Sequence, residues 1–211
     1  MTTRAELLDG LRLRLADHQK RRWSDEELLA YLRAAAIDYA MHFPRRREQF
    51  FTTDGTSRRY DLPADLLDDR IVEVALIGLD GREELLYPRS LVYQGTRWYE
   101  VVGEELHFGW VPIGNLTVRV RYDAIHDLPE TGPVTIPPED EELVYVAAMA
   151  MAWQRLAGND AALSRWKEEG RRDDNPVLPQ HTELWARYRR MIETKRGAMR
   201  VGRRVRRPWR R

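Results

Sequence analysis

Residues 139–157 read EDEELVYVAAMAMAWQRLA. Four carboxylates, Glu139, Asp140, Glu141 and Glu142, open the stretch at what would be the positive end of a helix dipole. From Leu143 to Ala157 the sequence is apolar nearly all round, so a helix here is buried between other elements and does not line a surface. Ala147, Ala148, Ala150 and Ala152 are small enough to let neighbouring backbones approach closely. Gly158 stops the helix. Just upstream, DLPETGPVTIPP at 127–138 holds four prolines and makes a non-helical connector.

The neighbours of that helix are legible on both sides. Leu7, Leu8, Leu11 and Leu15 recur at helical spacing. Ser24-Asp25-Glu26-Glu27 is a capping box that opens a second helix with the stripe Leu28, Leu29, Leu32, Ala35, Ala36, Tyr39 and Phe43. Pro44 ends it, because proline disfavours the helical region for the residue before it. Trp23 stands where it could staple onto the first turn. Beyond Gly158 a short fourth helix starts at Asn159 or Asp160. A proline-containing loop covers 171–180. A fifth helix begins near Thr182, carries Trp185, Tyr188 and Ile192 on one stripe, and runs into the C-terminal tail.

Between about 48 and 125 the period changes. Glu48–Thr53 and Thr56–Tyr60 flank Asp54-Gly55, a strong two-residue hairpin signal. Ile71–Ile77 is β-branched and reads as a strand. Trp98–Val102 and Glu105–Trp110 flank Gly103-Glu104, a second hairpin. Thr117–Tyr122 alternates cleanly, which buries one face and puts Arg119 and Arg121 on the other. The expected fold is therefore α+β: a helical bundle core of two N-terminal and three C-terminal helices, at 4–43 and 139–194, with an inserted small antiparallel β lobe. Residues 1–194 form one domain, and 195–211 form an extended basic C-terminal arm.

The 211 residues hold 35 basic and 34 acidic side chains, so the net charge of +1 is near zero. Only Lys20, Lys167 and Lys195 are lysine; the arginine skew reads as genome base composition more than function. The balance conceals an asymmetry. KRGAMRVGRRVRRPWRR at 195–211 has nine basic residues and no acidic one, which leaves the body at net −8. The contact candidates are Arg200, Arg203, Arg204, Arg206, Arg207, Trp209, Arg210 and Arg211. Arginine grips phosphates bidentately and tryptophan stacks on bases, but the same pair anchors protein interfaces, and a short basic run can also simply be solvated. Gly197 and Gly202 interrupt a helix and favour an extended arm.

Chemistry is otherwise sparse. With no cysteine there is no disulfide, thiolate nucleophile, iron–sulfur cluster or thiolate zinc site. His18, His42, His107, His126 and His181 are scattered, with no pair at i,i+4. No serine sits in GxSxG, and no phosphate-cradling glycine loop occurs. The acidic doublets Asp68-Asp69, Glu83-Glu84, Glu104-Glu105 and Glu168-Glu169 point apart on any regular element and read as solvated turns and faces. The longest apolar run, Leu143 to Trp153, falls well short of the ~20 residues that span a bilayer, and MTTRAELLDG has no signal-peptide core. The expectation is a chain made in a cytoplasm, with no membrane, metal or cofactor and no enzymatic activity.

The layout resembles the head–tail connector adaptor proteins of tailed bacteriophages. The resemblance is carried by Leu7–Leu15 ahead of Trp23-Ser24-Asp25-Glu26-Glu27-Leu28-Leu29-Ala30-Tyr31-Leu32, closure at Phe43-Pro44, then Tyr60-Asp61-Leu62-Pro63 and the strand Ile71–Val74. It continues through Val120-Arg121-Tyr122, the proline connector and the helix Glu141–Ala157. It implies a virion protein at the head–tail junction, present in the host cytoplasm during assembly. Such proteins form a ring of copies of themselves, usually a dodecamer, beneath the portal protein. The ring carries a platform for tail or neck proteins and a channel that double-stranded DNA passes through. The C-terminal arm docks to the portal, and the family is not enzymatic. Three other readings stay open: a nucleic-acid-binding protein that uses the basic arm, another neck or tail-completion component, and an enzyme assembled from scattered carboxylates and histidines.

Overall fold

The computed structural model describes residues 2–91, 97–157 and 177–205. The chain divides into two compact units, residues 1–42 with 126–211, and residues 43–125.

The first unit contains helices α1 (Arg4–Arg14), α2 (Asp25–His42), α3 (Glu141–Ala157) and α4 (Val177–Val205). Both capping boxes close. Thr3 and Glu6 satisfy each other's backbone at the start of α1. Glu27 N donates to Ser24 Oγ at 3.2 Å while Ser24 N donates to the Glu27 carboxylate at 3.0 Å. As the sequence requires, α3 is buried on every side from Leu143 to Ala150, and it packs against α1, α2 and α4. The approach of α1 is close: a Cβ added at Gly10 would come within 2.4 Å of Tyr145 Oη. The Arg14 guanidinium covers the same ring at 3.8 Å. Trp23 is buried edge-on against Trp153 of α3, with ring centroids 5.7 Å apart. Arg12 is buried too. It donates to Asp17, Asp25 and the Trp23 carbonyl, so one guanidinium ties α1 to the turn that launches α2.

The second unit is a seven-stranded sheet. Its strands are β1 (Arg45–Thr52), β2 (Arg59–Asp61), β3 (Leu66–Ile77), β4 (Glu83–Pro88), β5 (Trp98–Val102), β6 (Glu105–Phe108) and β7 (Thr117–Ala124). Their order is β1-β7-β3-β4-β5-β6-β2, and only the β4–β5 pair is parallel. β7 alternates as read: Val118, Val120, Tyr122 and Ala124 point into the core and Arg119 and Arg121 away from it. The β5–β6 hairpin turns at Gly103-Glu104, with Val102 opposite Glu105. In β3 the register slips between Leu66 and Ile71, and Asp68 and Asp69 there both take positive φ. Such a bulge bends the strand. The sheet has its own core of Val74, Leu76, Leu86, Leu106, Phe108, Val118, Val120 and Tyr122.

Three expectations are corrected. First, the fold is not a bundle of five helices with a small β lobe and an extended arm: the described residues hold four helices, and the sheet is a curled half-barrel of seven strands. Strand β4, Glu83–Pro88, hid behind an acidic doublet read as a turn. The short fourth helix expected near 159 lies outside the described residues. Second, Asp54-Gly55 does not join a hairpin. β1 pairs with β7 over eight residues and β2 pairs with β6, so the two strands sit at opposite ends of the order. The turn chemistry is nonetheless real. Gly55 has φ +79°, and a Cβ there would lie 3.0 Å from Gly114 N. Asp54 Oδ1 accepts from Thr56 and Ser57 N–H. What diverts the chain is Thr53. It is buried, exchanges backbone bonds with Leu116 and Asn115, and donates its hydroxyl to the Ile113 carbonyl. The rings of Phe51 and Tyr60 then stack 4.9 Å apart, and Phe108 lies 5.6 Å from Tyr60, which brings the end strands of the order toward each other inside the curl. Third, α4 stays helical through Gly197 and Gly202 to Val205. Each glycine costs about 1 kcal/mol relative to alanine, a cost that the packing of the preceding turns offsets.

Candidate functional site

The basic tail begins on α4, so the side chains that hold α4 decide where the tail starts. Tyr188, Ile192 and Lys195 recur at i, i+4 and i+7 and share one face of the helix. Tyr188 and Ile192 are buried. Tyr188 Oη donates to Asp38 of α2 at 2.5 Å, and Trp185 meets the Tyr188 ring edge-on at 5.7 Å. One turn on, Lys195 Nζ donates to Asp140, which is only 3% exposed. Asp140 also accepts from Tyr39 Oη at 2.5 Å. His126 packs against the Tyr39 ring at 5.0 Å and bonds through Nδ1 to the Thr135 carbonyl at 3.0 Å. Arg196 reaches His42 at 2.7 Å. Further toward the N-terminus of α4, Arg187 pairs with Glu142 at 2.9 Å, and Glu142 also pairs with Arg14 of α1.

The electrostatics are those of an anchor. Burial first, and Asp140 second, raise the Tyr39 hydroxyl well above the ordinary tyrosine range. Burial and then Asp38 do the same at Tyr188. Both hydroxyls therefore stay protonated and serve as donors to carboxylates. A cavity of about 570 Å³ lies beside Tyr188, lined by Asp38, His42, His181 and Trp185 as well, among others. Among the described residues no group of three or more His, Asp or Glu side chains is placed to hold a metal ion, and no helix is long and apolar enough to cross a membrane.

Of the tail residues singled out in the sequence, Arg200, Arg203 and Arg204 fall on the last turns of α4. Arg206, Arg207, Trp209, Arg210 and Arg211 lie outside the described residues. The structure thus brings the first three onto one continuous helix with the anchor. The anchoring roles of Asp140, Tyr39 and Asp38 are not visible in the sequence, where Asp140 is one of four interchangeable N-terminal carboxylates and Tyr39 one member of an apolar stripe. One usable signal was Lys195, a rare lysine among 32 arginines, set seven residues after Tyr188.

The family model of the SU10 adaptor protein matches residues 2–208, nearly the whole chain. The chain belongs to the SU10 adaptor protein family. A comparison with curated proteins finds no match. As an SU10 adaptor family member the chain is a structural adaptor of a phage, placed in the virion among other virion proteins. In this SU10 adaptor the anchor described above stands at the root of the C-terminal segment.

Proposed function

We propose that this adaptor is a head–tail connector. Copies of the chain form a ring beneath the capsid portal, DNA passes through the ring, and the C-terminal segment from Lys195 onward docks to the portal. Tail or neck proteins meet the rest of the ring. Catalysis has no part in this reading, and the strongly shifted tyrosines are accounted for as donors in the anchor.

The observation that carries the proposal is the Lys195–Asp140–Tyr39 anchor at the root of the most basic segment of the chain. A docking arm needs a fixed origin, since a tether of undefined direction loses effective concentration at its target. The net charge of −8 on the body supports the channel, because a negatively charged ring repels DNA and lets it slide. The test is capture of the full chain from infected cells with nuclease treatment, followed by identification of what stays bound. A large ring-forming portal protein retained after nuclease is the expected result. Loss of all bound material with the nucleic acid overturns the portal reading and favours a DNA-binding arm.

A further inference from the structure

The second unit carries a feature that the anchor does not use. Two cavities, of about 700 Å³ and about 230 Å³, meet at Asp69 on the β3 bulge. Asp69 lines both, and taken together as one groove their lining includes Leu66, Ile71, the buried Tyr99, Glu100 and Glu104. Asp69 and Glu104 are exposed. Arg89 is the cation in the groove, and it pairs with Glu100 at 2.9 Å. Those four charges leave the groove at net −2. The larger cavity falls in the size range of built ligand sites, roughly 300–1,000 Å³.

A lining that mixes apolar side chains, Ile71, Pro88, Tyr99 and Val101, with carboxylates fits a short, cationic, aromatic-bearing peptide. The chain itself encodes one: RRPWRR, residues 206–211, four arginines, a proline and a tryptophan with no acidic residue. Arginine pairs bidentately with carboxylates, and a tryptophan ring combines an apolar body with a polar N–H, which suits a mixed lining. We infer that this groove receives residues 206–211 of a second copy, so that neighbouring copies are tied arm to groove. The inference rests on the ring reading above, since a second copy supplies the arm. Portal docking and groove docking draw on the same six residues, so one replaces the other as the connector is assembled.

Charge exchange in full-length chains tests it. The groove variant combines Asp69→Asn, Glu100→Gln and Glu104→Lys, which turns the lining from −2 to +2; asparagine is chosen at 69 because it tolerates the positive φ there. The arm variant carries Arg206→Glu, Arg207→Glu, Arg210→Glu and Arg211→Glu. Sedimentation velocity at low salt is the readout, and unchanged circular dichroism and melting show that each variant is folded. The wild-type chain is expected to self-associate, and each variant alone at least about tenfold more weakly, or ~1.4 kcal/mol. An equimolar mixture of the two variants is expected to associate again, because the wild-type arm of one meets the wild-type groove of the other. A mixture no heavier than its components, a variant that assembles as well as wild type, or a wild-type chain that stays monomeric overturns the inference. The groove variant keeps its own arm, so its capture of the portal after nuclease tests the portal reading separately.

Discussion

Lys195 of α4 and Asp140, which precedes α3, form a buried ion pair across 55 residues of chain, and the Tyr39 hydroxyl completes it. The aspartate side chain is 5% exposed and the lysine 22%. Removing one member of such a pair strands the other charge, at a cost of about 3–5 kcal/mol. Asp140→Ala is expected to lose that much in chemical denaturation, and the paired change Asp140→Leu with Lys195→Met much less. A loss below about 1 kcal/mol for Asp140→Ala would show that the pair does not hold α4.

Truncation separates the anchor from the tail. A chain that stops after Val205 keeps Lys195 and is expected to melt where the full chain does. A chain that stops before Lys195 loses the partner of Asp140 and is expected to melt lower. Thermal unfolding followed by circular dichroism compares the two. Equal melting points would remove Lys195 from the account.

Alkaline pH probes the buried hydroxyls. Tyr122, buried and bonded to Asp65 at 2.8 Å, is pushed up to about 12 by burial first and by that carboxylate second. Tyr39 and Tyr188 are raised further in the same direction. Unfolded tyrosine ionises near 10. Between about 10 and 12 the unfolded chain therefore sheds protons that the folded chain keeps. The contribution of these groups is complete below about pH 10 and is lost as pH rises through the folded values. Stability should fall over that window, and Tyr122→Phe should make the fall shallower. Tyrosinate absorbance should show these rings ionising only as the protein unfolds.

Gly10 sets the distance between α1 and α3. Gly10→Ala forces a methyl against Tyr145, an overpacking expected to cost about 1–3 kcal/mol. Combination with Tyr145→Leu should recover part of it, which a double-mutant cycle in denaturant measures. Strict additivity of the two changes would show that they do not meet.

Arg12→Met tests the launch of α2. It leaves Asp17, itself 5% exposed, without its guanidinium and should cost about 3–5 kcal/mol. Asp17→Asn on its own should do less harm, because the amide oxygen still accepts from the Arg12 guanidinium.

The helices were legible because their signals are local. Ser24 with Glu27, the leucine stripe of α1 and the unbroken apolar surface of α3 each fix their own few turns. The alternation of β7 and the Gly103-Glu104 hairpin were legible for the same reason. The partner of β1 was not, since Asp54-Gly55 is a good turn wherever it occurs and says nothing of which strand comes next to Thr52. That choice belongs to Thr53 and its bonds to 113–116, sixty residues away. The course of α4 past Gly197 was hidden likewise. Glycine propensity is written in the sequence, and the burial of Tyr188 and Ile192 that outweighs it is not. The basic segment was found by counting, but its root at Asp140 needed a contact between distant parts of the chain.

β7 pairs with β1 on one side and β3 on the other, yet it is the last of the seven strands to leave the ribosome. Until residue 124 has been made, the first strand has no hydrogen-bonding partner, while β3, β4, β5, β6 and β2 already have one another to pair with. Strand pairing at such sequence separation is slow to nucleate, and an open edge invites pairing with another chain while it waits. The sheet should therefore set the pace of maturation for this protein, with β7, the strand that joins β1 to β3, supplying the final stroke.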